Sequence, residues 1–133
     1  MRYAISYIST AKTTLTSIDV KELLDKVELK NNSQNITGIL LSSDTNFFQL
    51  IEGEEDVIKE LYTHIQKDSR HSNLIKFIDQ PVTKNAYDGF LSQVVTAQTR
   101  YNDKNLTQYL HYIEVLDTES RIAVKRVIEA LIV

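Results

Sequence analysis

The chain contains no cysteine and no tryptophan, and its one methionine is Met1. Without cysteine there is no disulfide, no thiolate metal ligand, no thiol nucleophile and no cysteinyl adduct to a cofactor. Glycine occurs only at Gly38, Gly53 and Gly89, and proline only at Pro81. Glycines so far apart build neither a dinucleotide fingerprint nor a phosphate loop. A nucleotide bound here is held by something other than a glycine-rich cradle. Basic residues are also short: 15 Lys and Arg against 18 Asp and Glu give a net charge of −3. Nucleic-acid binding needs a basic patch that neutralises phosphates. The nearest cluster, Arg121, Lys125 and Arg126, has the spacing of one solvated helix face, so no nucleic-acid partner is expected. No run approaches the ~18 apolar residues of a membrane span. The stretch from Met1 to Tyr7 lacks the apolar core and cleavage site of a signal peptide. The expectation is a cytoplasmic protein without membrane contact. His64, His71 and His111 have no metal-ligand spacing, so no metal is expected.

What is present reads as one folded domain. The 133 residues are 42% hydrophobic and 25% charged, close to globular averages. Residues 2–9 alternate as a strand, with Tyr3, Ile5 and Tyr7 on one face and Ala4, Ser6 and Ile8 on the other. Asp19 and Glu22 suggest a capping box, and Val20, Leu23, Leu24 and Val27 predict a helix over about 19–30, ended by the run Asn31 to Asn35. Residues 36–42 and 47–52 read as a hairpin, with Gly53 stopping the second strand. Glu54, Glu55 and Asp56 open a second helix with the charge its dipole favours; its apolar face is Val57, Ile58, Leu61, Tyr62 and Ile65. Residues 68–73 read as a loop, and Leu74 to Asp79 as a strand closed by Pro81. A fifth strand covers Phe90 to Ala97. Leu106, Tyr109, Leu110 and Ile113 stripe one C-terminal helix; Val124, Val127, Ile128 and Leu131 stripe the other.

The order β-α-β-β-α-β, then β, then α-α, predicts an α+β, ferredoxin-like sandwich. Its first and third strands lie side by side and both crossover helices share one face. Residues 1–97 form the core, and 98–133 a helical extension that packs on the other face or on a partner.

Certain polar residues stand out in this frame. Gln49 interrupts the apolar run Phe47-Phe48-Gln49-Leu50-Ile51, on the face of Phe47 and Ile51. It either meets water on a partly exposed face or is buried with its amide satisfied. Tyr7, on the neighbouring strand, is either a core aromatic or its partner. Asn31 is either a helix cap or an amide facing the same space. Together they offer a hydroxyl and two amides, without a nucleophile or a pair of catalytic carboxylates. That set suits recognition of a planar heterocycle and suits hydrolysis badly, so no enzyme activity is expected.

On these residues the sequence resembles the BLUF domain, the sensor of blue light using flavin. The resemblance covers about residues 2–97. It rests on Tyr7 within Ile5-Ser6-Tyr7-Ile8-Ser9, on Asn31-Asn32, on Ile36-Thr37-Gly38-Ile39-Leu40-Leu41, on Phe47-Phe48-Gln49-Leu50-Ile51-Glu52-Gly53, and on Asp68-Ser69-Arg70-His71. It implies a flavin ring between the crossover helices, FAD as the usual cofactor with FMN as the alternative, and Tyr7 and Gln49 as the photoactive pair. It further implies Asn31 at the ring's C4 carbonyl and N3 edge, Arg70 near the C2 carbonyl, His71 beside the ring and Asn32 as a further contact. In the implied reaction, the excited flavin takes an electron from Tyr7, Gln49 relays the proton toward flavin N5, and the amide returns rotated or tautomerised. No covalent bond forms, which suits a chain without cysteine.

The sequence departs from the family on its fifth strand. Phe90 stands where the family usually has Trp, and Ser92 where it has Met. Phe90 cannot donate an N–H bond, and Ser92 is smaller and polar. Those positions are linked to signal relay. The leading expectation is a short photoreceptor that signals to a separate, unidentified partner protein and forms homo-oligomers, with the C-terminal helix ending in Ala130-Leu131-Ile132-Val133 as a contact surface. The alternative is a light-insensitive flavin- or ligand-binding module on the same fold. An acyl-phosphate hydrolase ranks last, because no Arg-containing phosphate loop is present.

Overall fold

The structure, a computed structural model, describes residues 1–83, 89–96 and 103–132. Their elements run in the expected order: β1 (Arg2–Ala11), α1 (Ser17–Ser33), β2 (Thr37–Ser43), β3 (Asn46–Glu54), α2 (Glu55–Lys67), β4 (His71–Pro81), β5 (Phe90–Val95), α3 (Asp103–His111) and α4 (Thr118–Ile132). The strands make one sheet in the order β4-β1-β3-β2-β5. β3 is antiparallel to both β1 and β2, β4 is antiparallel to β1, and β5 runs parallel to β2. Each of α1 and α2 therefore crosses over one intervening strand, which is the ferredoxin-like arrangement.

The strands' period of two divides the core into two layers. Ile5, Tyr7, Leu40, Phe47, Ile51 and Phe90 face Leu24 of α1 and Ile58 and Tyr62 of α2. Ala4, Ile39, Leu41, Phe48, Leu50 and Ile78 face the other way, against Tyr109 of α3 and Val124, Ile128 and Leu131 of α4. Glu52, fully buried on β3, breaks this apolar pattern. Thr37 Oγ1 donates to its Oε1 at 2.7 Å and Arg2 Nη2 to the same oxygen at 3.0 Å. Arg2 Nε lies 2.6 Å from Oε2, an ion-pair contact off hydrogen-bond alignment. A buried carboxylate needs such partners.

Several local expectations are corrected. The cap of α1 is Thr16, not Asp19: Asp19 is the third helical residue and completes the capping box from inside. The helix runs on to Ser33, so Asn31 lies within it; the left-handed backbone comes at Asn35, with φ 57°. Gly53 does not stop β3, which continues to Glu54 through pairing with β1. β4 begins at His71 rather than after Asn73. Asn73 (φ 55°) sits where the pairing with β1 changes register, and its polar, turn-like sequence marks that irregularity. Val57 is 40% exposed and leaves the apolar face of α2. Ile113 is buried in the core but lies beyond the end of α3. β5 ends at Val95; Ala97, Tyr101 and Val133 lie outside the described residues.

Gly38 has a strict structural reason. Its φ is +133°, and a Cβ there would lie 1.9 Å from the Leu50 carbonyl oxygen of the neighbouring strand.

Candidate functional site

A cavity opens between α1, α2 and the sheet. Leu23 and Val27 of α1 and Ile65 of α2 form its apolar walls, and Leu40 and Phe47 part of its floor. Tyr7, Gln49, Arg70 and His71 all line it, so four of the expected site residues converge on one space. Apolar walls with a few placed polar groups are the usual composition of small-molecule sites.

The polar floor is set by strand register. Tyr7 pairs with Gln49 across β1 and β3, Gln49 with Leu40 across β3 and β2, and Leu40 with Ser92 across β2 and β5. Directly opposite residues share a face, so Tyr7, Gln49, Leu40 and Ser92 form one cross-strand row under the helices. Gln49 is 3% exposed, not water-facing, and Tyr7 Oη donates to its Oε1 at 2.5 Å. Burial raises the Tyr7 hydroxyl well above the ordinary phenol pKa, so the group is a neutral hydrogen-bond donor at physiological pH. The Tyr7 ring also contacts two aromatic neighbours: Tyr62 at 5.8 Å and His71 at 6.0 Å between centroids.

His71 is fixed from both ends. Its Nε2 lies 2.7 Å from the Ile65 carbonyl, which can only accept, so Nε2 carries the hydrogen. In the neutral ring Nδ1 then accepts from Ser9 Oγ, also at 2.7 Å. Arg70 is held by Asp68: its Nε donates to Oδ1 at 2.9 Å and its Nη2 to Oδ2 at 2.6 Å. These bonds place the Asp68 carboxyl below the usual carboxylate range.

The two asparagines separate. Asn31 follows Leu23 and Val27 at successive four-residue steps on the same face of α1, one turn beyond the cavity wall. It is 2% exposed, and its Nδ2 has no hydrogen-bond partner. A buried donor left unpaired is a group available to a ligand. Asn32 does not line the cavity. Its Nδ2 donates to the Phe90 carbonyl at 3.0 Å and its Oδ1 accepts from the Phe90 N–H at 2.8 Å, so the amide ties α1 to β5. Gly89 leaves room for this clamp: a Cβ there would fall 2.6 Å from Asn32 Oδ1. Phe90 is buried beside the Tyr7 layer. Ser92 bonds to α1 twice, its Oγ donating to the Leu24 carbonyl at 3.1 Å and its N–H to Glu28 Oε1 at 2.8 Å.

Sequence reasoning did not single out Asp68, Ser9 or Tyr62 as members of this site. Asp68 and Ser9 stand inside the motifs around Arg70 and Tyr7, two residues from each. Tyr62 carried only the signal of its place on the apolar face of α2.

A flavin ring fits this site. Apolar side chains of both crossover helices line the cavity, Tyr7 and Gln49 lie in its floor, and Asn31 carries a buried, unpaired donor one helical turn beyond Val27. Among the described residues no His, Asp or Glu cluster could hold a metal ion, and no helix is long and apolar enough to cross a membrane.

The profile of the BLUF family, described as sensors of blue-light using FAD, matches residues 3–92. The blue light- and temperature-regulated antirepressor BluF of Escherichia coli is 36% identical over 59 residues, covering 44% of this chain and 15% of that protein. Photoactivated adenylate cyclase subunit beta of Euglena gracilis is 30% identical over 83 residues, covering 62% of this chain and 10% of that one. The chain thus spans a small part of these relatives. In fold it is similar to the solved BlrP1 BLUF structure, with TM-score 0.75, 24% identity, and 99% of this chain and 90% of the other covered. The dark-state structure of BlrB, a BLUF protein, gives TM-score 0.69 at 24% identity, covering 97% and 96%. The chain belongs to the BLUF family of blue-light sensors.

Proposed function

We propose that light sensing in this chain is carried out by Tyr7 and Gln49, whose hydrogen bond is rearranged when light is absorbed in the cavity above them. The carrying observation is the buried 2.5 Å bond from Tyr7 Oη to Gln49 Oε1 in the floor of that cavity. A bound flavin, once excited, supplies a strong one-electron oxidant. Tyr7 is the oxidisable group of the row. Losing an electron makes its phenol strongly acidic, and the proton has a ready acceptor in Gln49 Oε1. When electron and proton return, the phenol is restored and the amide can settle with its other end toward Tyr7. Donor and acceptor at the cavity floor are then exchanged, with no bond to carbon made or broken.

Asn31 would hold the ring's edge through its unpaired donor, and Arg70 and His71 would stand at its rim. Asn32 supports the site indirectly, by holding β5 to α1. FAD is the proposed cofactor. FMN is the alternative. The row Tyr7–Gln49–Leu40–Ser92 supports a route from the switch to β5, and the bonds of Ser92 to Leu24 and Glu28 extend it to α1. Phe90 fills its place by packing. In this reading residues 1–97 sense light and residues 98–133 present the output to a separate protein, with a homo-oligomer as the assembled form. The relatives named as an antirepressor and as cyclase subunits support coupling to such effectors.

The test is to supply FAD to the purified chain and record absorption before and after a blue pulse. A yellow protein whose flavin bands shift to the red and recover in darkness is expected. A colourless protein overturns the reading, and a flavin with a static spectrum favours the light-insensitive binding module.

A further inference from the structure

Asp68 and Arg70 line the cavity together, and they do so as an ion pair. The carboxylate receives Arg70 Nε at 2.9 Å and Nη2 at 2.6 Å, and the Arg70 main-chain N–H also donates to Oδ1, at 2.9 Å. One side chain thus closes the turn before β4 and neutralises the cation at the rim. Gripping an uncharged ring gives Asp68 no evident task there, since an unpaired Arg70 would have more donors to offer. The task appears once the ring gains an electron.

We propose that Asp68 is a positioning residue that keeps the reduction potential of the bound flavin low by cancelling the charge of Arg70. The inference rests on the flavin reading above. One-electron reduction places a negative charge on the ring. A lone guanidinium beside it would stabilise that charge, by an amount that solvent around the half-exposed Arg70 screens in part. A guanidinium paired at 2.6 Å presents a dipole instead, whose field falls off faster than that of a charge. The reduced ring is then held little better than the oxidised one, and the electron's return to Tyr7 stays favourable. A switch that must reset needs that return. Arg70 in turn keeps the Asp68 carboxyl ionised at neutral pH, so the cancelling charge is present where the protein works.

The test uses three variants of the flavin-loaded chain and a spectroelectrochemical titration of the bound flavin. Asp68→Asn keeps an oxygen for the Arg70 N–H while removing the charge. Its potential is expected to rise by the equivalent of about tenfold tighter binding of the reduced ring, which is about 59 mV for one electron. Arg70→Gln is expected to lower the potential, and Asp68→Asn with Arg70→Gln to return it close to the starting value, which a purely structural role would not do. The inference is overturned if Asp68→Asn leaves the potential unchanged or lowers it, or if the double variant stays with Asp68→Asn. Should Asp68→Asn not fold, a potential in Arg70→Gln that fails to fall overturns it equally. A chain that takes up no flavin overturns the flavin reading together with this one, whereas a flavin whose potential ignores Asp68 overturns this one alone.

Discussion

Removing either partner of the Tyr7–Gln49 bond strands the other in a dry site. Both residues are 3% exposed. Gln49→Leu leaves the Tyr7 hydroxyl without its acceptor; Tyr7→Phe leaves Gln49 Oε1 without its donor. A buried polar group left unsatisfied costs about 1–3 kcal/mol, while replacing both partners by apolar groups of similar shape is close to neutral. With a urea dependence of about 1–3 kcal/mol per molar for a small domain, each single variant of the flavin-free chain should lower the unfolding midpoint by about 1 M. Tyr7→Phe with Gln49→Leu should lose clearly less than the sum of the two, by about 1–2 kcal/mol. The assay is equilibrium urea unfolding followed by circular dichroism, with the slope checked for constancy across the four proteins. Strictly additive losses would refute the reasoning, because they would mean that the two groups do not satisfy each other in the folded chain.

Further expectations follow from the same framework. Gly38→Ala should cost about 4 kcal/mol or more, through its positive φ and a Cβ placed 1.9 Å from the Leu50 carbonyl, and should show as loss of cooperative thermal unfolding. Arg2→Met should destabilise by about 3 kcal/mol, since it leaves the fully buried Glu52 carboxylate with Thr37 alone; Arg2→Met with Glu52→Leu should recover most of that loss in the same unfolding assay. In alkali, the buried Tyr7 keeps its proton while the unfolded chain releases it above about pH 10. The stability Tyr7 contributes is therefore full below that pH and is lost as pH rises above it. Tyr7→Phe should accordingly flatten the fall of stability between about pH 9 and pH 11.

The sequence made the element order legible because each element carries its own period. The alternation of Tyr3, Ile5 and Tyr7, and the helical spacing of Ile58, Leu61, Tyr62 and Ile65, survive in the fold. Boundaries were less legible, since pairing partners override local signals. Gly53 looks like a stop until β1 pairs across it. Asn73 looks like a loop until β4 is seen to change register there. The floor of the site was legible through Gln49, a polar residue with no local reason to sit among apolar neighbours. Asn31 and Asn32 show the opposite case. Side by side in one motif, they take different places, one buried with an unpaired amide and one clamped on β5, and only the packing of α1 on the sheet separates them. Asp68 was hidden for a related reason. An acidic residue near a helix end reads as surface charge until its partner is seen to line a cavity.

Light sensing in this chain turns on whether Gln49 carries the switch. The most direct measurement is the light-minus-dark absorption difference of the flavin-loaded chain beside its Gln49→Leu variant. A reversible red shift is expected in the former and a bound flavin with no shift in the latter. A Gln49→Leu protein that holds flavin and shifts like the unaltered chain would contradict that role of Gln49.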